Sequence, residues 1–190
     1  MKKIFFATLI SAGLVACTAL TACLKEKHNN DGTDENSKIE VGDAVPSFTV
    51  FDSEGAEVTF SEFPKTLILF FNVQCPTCQH EFPAIQAAWS ELRDEGLEFI
   101  GVARPWNTET AGELAELTAT YWEEHGFDMP WYTDPGRYTY SKFATLYIPR
   151  LYLAVDGVVV WKAMGELNMT SAKLIATIKS KLDAAPIPAH

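Results

Sequence analysis

Cys75-Pro76-Thr77-Cys78 is the segment of this chain whose residue types and spacing could do chemistry. It stands where an apolar run, Thr66 to Phe71, gives way to a helical pattern. The first turn of a helix leaves backbone N–H groups unpaired and gathers partial positive charge. Cys75 falls at the capping position, where its sulfur faces the N–H groups of Thr77 and Cys78. Both effects favour thiolate over thiol. Pro76 suits the first helical position, where a missing N–H costs nothing. Cys78 lies inside the first turn, within disulfide reach of Cys75. The chemistry expected is thiol–disulfide exchange. Cys75 thiolate attacks a partner disulfide, and Cys78 then resolves the mixed disulfide.

Other uses of a cysteine pair are open at this point. A zinc site needs about four ligands, and beyond the pair only His80 lies close by in sequence, so no metal is expected. Covalent haem attachment needs CxxCH, and residue 79 is Gln. A structural disulfide remains open, although two-residue loops at helix starts are usually redox-active. No glycine-rich phosphate loop is present, and no cofactor is expected.

The elements that must position the motif follow from periodicity. Phe48–Phe51 and Val58–Phe60 read as strands that turn at 52–55. The run 66–71 reads as a central strand covered on both faces. Helix is expected over 76–95, with Ile85, Trp89 and Leu92 on one face, and over 109–125. Residues 97–102 form a second buried strand. A short helix is expected over 138–145. Strands 151–155 and 158–161 meet at Asp156-Gly157, and a last helix spans 171–182. Strands alternating with helices before a closing hairpin imply an α/β domain, a mixed sheet flanked by helices. Trp106, Trp122, Trp131, Tyr132 and Tyr138 are read as packing residues, with a partner groove as the other possibility.

The N-terminus reads as an address. Met1-Lys2-Lys3 precedes an apolar run to about Ala22, as in an export signal. Small residues precede Cys17 and Cys23, and each site resembles a bacterial lipobox. Cys23 is preferred for lipidation because polar sequence follows it at once. An uncleaved membrane helix is the competing reading. The expected organisation is an export signal over 1–23, a flexible tether over 24–38 without large apolar side chains beyond its start, and one domain over 39–185. The expected location is the bacterial envelope, anchored to the membrane and facing the periplasm.

The net charge is −10. Residues 1–22 carry two lysines and no acids, so the remainder has 13 basic and 25 acidic residues, or −12. That balance argues against a nucleic-acid partner, which rewards clustered Lys and Arg.

The stretch Leu67–Gln86, LILFFNVQCPTCQHEFPAIQ, resembles the active-site segment of thioredoxin-like proteins, and in particular the membrane-tethered TlpA/ResA-type envelope oxidoreductases. Pro83 matches the proline inside their active-site helix, and Glu81 matches an acidic residue of that group. Tyr147-Ile148-Pro149-Arg150, followed by a strand and Asp156-Gly157, resembles their cis-proline loop and closing hairpin. The resemblance covers about residues 41–182. It implies a thioredoxin fold with an added N-terminal β-hairpin and with Pro149 cis beside the cysteines. It also implies a partner strand received along Ile148, with Pro76 and Thr77 in the substrate-binding surface, and proton transfer by Glu81. Partners would be proteins carrying disulfides or dithiols, supplied by an upstream membrane electron donor. Departures are Gln74, where the family often has Trp, and Leu69, where cytosolic thioredoxins have a buried Asp. Two other activities compete. A thiol peroxidase would require a PxxxTxxC pattern that neither cysteine has. A copper metallochaperone would use the thiolates as soft ligands.

Overall fold

The computed structural model describes residues 34–185. Seven strands form one mixed sheet: β1 (Phe48–Phe51), β2 (Glu57–Phe60), β3 (Lys65–Phe71), β4 (Glu98–Ala103), β5 (Trp131–Thr133), β6 (Arg150–Val155) and β7 (Val158–Met164). Their order across the sheet is β2-β1-β5-β4-β3-β6-β7. β4 runs parallel to both β3 and β5, and the remaining pairs are antiparallel. The helices are α1 (Pro76–Leu92), α2 (Ala111–His125), α3 (Tyr140–Phe143) and α4 (Ser171–Ala184).

β3 lies at the centre of the core, and Leu67 through Phe71 have no exposed surface. Successive side chains on a strand point to opposite faces. Phe71 accordingly meets Phe82 of α1 and Trp122 of α2, with ring centroids 5.4 and 5.0 Å apart. Phe70 meets Tyr140 and Phe143 of α3, at 5.4 and 4.8 Å. The strand that delivers the cysteines is therefore clamped from both sides.

Several elements differ from expectation for local reasons. The helix expected over 76–95 ends at Leu92, continues as a 3₁₀ turn over Arg93–Glu95 and stops at Gly96, whose φ is +86°. The helix expected from Glu109 begins at Ala111, because Thr110 and Glu113 close a capping box. Glu109 instead accepts from the amides of Trp106 and Asn107, at 3.2 and 2.8 Å. β5 has no counterpart in the sequence reading. Three residues carry too little periodicity to announce a strand, and this one exists by pairing with β4. Gly101 permits that approach: a Cβ there would lie 2.9 Å from the Pro130 carbonyl oxygen.

The ordered domain also begins earlier than Ile39. Asp34 pairs with the buried Arg150, Ser37 bridges Ala144, and the Lys38 amide donates to Phe143 O at 2.8 Å. The export signal and the lipidation cysteines, Cys17 and Cys23, lie outside the described residues. Among the described residues no helix is long and apolar enough to cross a membrane. Of the aromatic side chains, Trp122 is in the core, Trp131 and Tyr132 are half-buried, and Trp106 and Tyr138 are exposed.

Candidate active site

β3 ends at Phe71, and Asn72 shapes the loop that follows. Its side-chain amide donates to Arg104 O at 2.8 Å, and its Oδ1 accepts from the Gln74 amide at 2.7 Å. Its carbonyl accepts from the Cys75 amide at 3.1 Å. Gln79 reaches back from the first turn of α1 to the Val73 carbonyl, at 2.6 Å. These bonds place Cys75 at the N-cap of α1, with extended backbone and Pro76 next. Pro83 lies inside the same helix and removes one N–H from its ladder.

Both cysteines are free thiols. Cys75 keeps 4% of its surface and Cys78 keeps none. The loop before β6 covers it: the Cys75 thiol lies 3.7 Å from the Ile148 carbonyl oxygen, to which it donates. The Ile148–Pro149 bond is cis, and the Cys75–Ile148 contact sets the proline loop against the dithiol.

The two sulfurs differ sharply in acidity. The Cys78 thiol, acting as hydrogen-bond donor, does most to lower the Cys75 pKa. Burial opposes it, the amides of Cys78 and Thr77 and the charge of Arg104 add to it, and the result is about 6. Cys75 closes no standard side-chain cap bond, so these amides act through their orientation at the helix start. Burial pushes Cys78 well above the ordinary thiol range, and hydrogen bonding and charge from Cys75 push it the same way.

Glu81 is buried, and its Oε1 accepts from the Leu167 amide at 3.0 Å and from the exposed His80 ring at 3.2 Å. It therefore ties the dithiol helix to the loop after β7 rather than facing solvent. Thr77 is half-buried, whereas Pro76 and Gln74 are exposed beside Cys75. A groove of about 750 Å³ opens there, between Val73, Gln74 and Gln79 on one side and Glu113, Leu117 and Tyr121 of α2 on the other.

Three residues of the site were given no role in the sequence reading. Asn72 organises the loop. Arg104 is buried just after β4, with its backbone bonded to Phe71 and to the Asn72 side chain. Arg150 donates to the carbonyls of Leu146 and Tyr147 and to Asp34, bracing the proline loop from behind. The available signal for Arg150 was an arginine opening an otherwise apolar strand directly after Pro149. Among the described residues no cluster of three or more His, Cys, Asp or Glu could hold a metal ion.

Comparison with known proteins agrees with this geometry. The family model described as the AhpC/TSA family matches residues 41–162. The thiol-disulfide oxidoreductase ResA of Bacillus thuringiensis is 24% identical over 135 residues, covering 70% of this chain and 74% of that protein. The ResA of Halalkalibacterium halodurans is 25% identical over 104 residues, 54% of this chain and 55% of that one. Among solved structures, a thiol:disulfide interchange protein of the thioredoxin family from Chlorobium tepidum superposes with a TM-score of 0.60 at 17% identity, over 74% of this chain and 97% of that one. StoA from Bacillus subtilis superposes with a TM-score of 0.56 at 19% identity, over 70% and 96%. With its thioredoxin-like fold and a family match spanning well over half its length, the chain belongs to the AhpC/TSA family.

Proposed function

We propose that this protein is a thiol–disulfide oxidoreductase that reduces disulfides of extracytoplasmic partner proteins. One observation carries the reading: two free thiols of opposite acidity at a helix start, with the more acidic one against the carbonyl that precedes a cis-proline. A pKa of about 6 leaves Cys75 mostly thiolate at neutral pH. The thiolate attacks one sulfur of the partner disulfide. The Cys75–partner S–S bond forms as the partner's own S–S bond breaks, and its electron pair leaves on the second partner sulfur. Cys78 then loses its proton and attacks Cys75, which releases the first partner sulfur as thiolate. Two electrons pass to the partner, and the protein is left as the disulfide. A membrane electron donor restores the dithiol.

The partner lies along Ile148 as an added strand, bonded through backbone, with Pro76 and Thr77 forming the opposite wall. Glu81 serves proton movement at Cys78. The AhpC/TSA relationship raises peroxide reduction as an alternative, but Asn72 and Ile68 stand where the PxxxTxxC pattern measured from Cys75 needs Thr and Pro. The protein reaches its partners from the outer face of the membrane, held by lipid on Cys23.

Equilibration with mixtures of reduced and oxidised glutathione tests the function. The expected result is reversible formation of an intramolecular Cys75–Cys78 disulfide, with catalysis of insulin disulfide reduction. A dithiol that stays reduced in excess oxidised glutathione, or a protein that turns over peroxide but not insulin, contradicts it.

A further inference from the structure

Glu81 is closed off from water but touches a side chain that is not. Its side chain keeps 2% of its surface, whereas that of His80 keeps 75%. His80 Nδ1 stands 3.2 Å from Glu81 Oε1, and the same oxygen accepts from the Leu167 amide at 3.0 Å. Among the described residues these are the hydrogen-bond partners of Glu81. A backbone amide keeps its proton, whereas an imidazole gains and loses one near neutrality. On the inner side, Cys78 and Glu81 stand three positions apart on α1, a spacing that makes helix neighbours, and both are buried. Gln79 takes no part, because its amide is turned to the Val73 carbonyl at 2.6 Å. From inside to outside the order is Cys78, Glu81, His80, water.

We propose that His80 is the proton outlet of the dithiol, a positioning residue that carries protons between the buried Glu81 carboxyl and solvent. The inference rests on the reading in which Glu81 takes the Cys78 proton, and it adds the route by which that proton leaves. A proton passes between groups within hydrogen-bond reach of each other. As Cys78 attacks the mixed disulfide, its proton passes to Glu81. The carboxyl hands it from Oε1 to Nδ1 of the ring, and the exposed side of the ring releases a proton to water. Glu81 returns to carboxylate and His80 to neutral imidazole, and no electrons move in either transfer. When the closed disulfide is reduced again, the same route runs inward and protonates the departing Cys78 sulfur.

The elements packed on α1 bring other ionisable groups to this side of the sheet. They are Lys173, Lys179 and Lys181 of α4, Tyr121 of α2 against Phe82, and Glu166 in the loop after β7. Lys179 is held by Glu91 and Glu95, at 3.3 and 2.9 Å. Among the described residues none of these groups bonds to Glu81 or His80.

The test uses the reduced full chain as wild type, His80→Asn, His80→Ala, Glu81→Gln and the double variant with His80→Asn and Glu81→Gln. Each is mixed with oxidised glutathione at pH 7 and quenched with acid. Mass spectrometry then follows glutathionylated Cys75 and the closed disulfide. The ring is exposed, so its replacement should leave the fold intact. Asn retains a hydrogen-bond donor for Oε1 but exchanges no proton. Both His80 variants should prolong the glutathionylated intermediate about three- to tenfold, a fraction of what a positioned acid–base group contributes. Imidazole added to the buffer should restore their closure rate in proportion to its concentration and leave wild type unchanged. In the Glu81→Gln background, His80→Asn should add nothing. Three results overturn the proposal: an Asn protein that closes like wild type, slow variants that imidazole does not restore, or an undiminished His80 effect in the Glu81→Gln background. Equal closure in wild type and Glu81→Gln also overturns it, by removing the proton that His80 would carry. A wild type that forms no closed disulfide at all instead refutes the oxidoreductase reading beneath it.

Discussion

Cys75 and Cys78 stand three positions apart in contrasting surroundings, because a helix start treats its cap and its first turn differently. The cap sulfur faces amide dipoles and a thiol donor, whereas the sulfur one turn in is fully buried. The acidity of Cys75 has a consequence for stability. Its folded pKa lies below its unfolded value of 9.0. Between roughly pH 6 and 9 the unfolded chain therefore binds more protons, and reduced native protein gains stability as pH rises. Thermal melts of the reduced protein should rise across that window relative to Cys75→Ser and lose the advantage as pH falls through 6. Parallel melting curves for the two proteins would remove the thiolate from the balance. Glu81 gives a second residue-scale expectation. Glu81→Ala leaves the buried Leu167 amide without its acceptor and should cost about 1–3 kcal/mol in urea unfolding. Glu81→Gln retains an acceptor oxygen, so it should cost less while flattening the pH dependence of insulin reduction. Equal losses in both variants, with an unchanged pH profile, would make Glu81 only a structural tie. The motif was legible in sequence because the contrast between its two thiols depends on neighbours at one helix start, whereas the tie between Glu81 and Leu167 spans 86 positions and left no local signal. Arg104 was not legible, because only the pairing of β3 with β4 brings it against Asn72.

At the scale of elements, the site is a junction between the start of α1 and the loop ahead of β6. The loop is held by Arg150, which is almost wholly buried and binds two backbone carbonyls and Asp34. These ionic partners stand 116 positions apart in the chain, which explains why no local pattern announced them. The apparently polar stretch that carries Asp34 read as tether for the same reason. Removing one member of a buried pair leaves the other uncompensated, at a cost of about 3–5 kcal/mol. Asp34→Ala should therefore destabilise the domain by that order and speed amide hydrogen exchange at residues 146–148 more than in α4. Uniform exchange across the domain would show that the pair does not brace the proline loop. β3, β4, β6 and the long helices were legible from apolar runs and periodicity. The missing strand β5 and the displaced start of α2 were not, since one depends on sheet pairing and the other on the capping box that Thr110 closes with Glu113.

The whole molecule joins an acidic domain to an N-terminal segment that reads as an export signal. A lipid on Cys23 would let the domain work beside a membrane electron donor, at a distance set by the residues before Asp34. Intact mass spectrometry of membrane-extracted protein should find a mature chain that begins with lipid-modified Cys23. A chain beginning at Met1, or one cut at Cys17, would contradict that reading. The central claim is narrower: Cys75 attacks and Cys78 resolves. Cys75→Ser and Cys78→Ser proteins, each incubated with a disulfide-bearing protein and quenched with acid, test it most directly. The account predicts that Cys78→Ser accumulates a mixed disulfide through Cys75 and that Cys75→Ser accumulates none. A mixed disulfide through Cys78 in the Cys75→Ser protein, with none in Cys78→Ser, would contradict it.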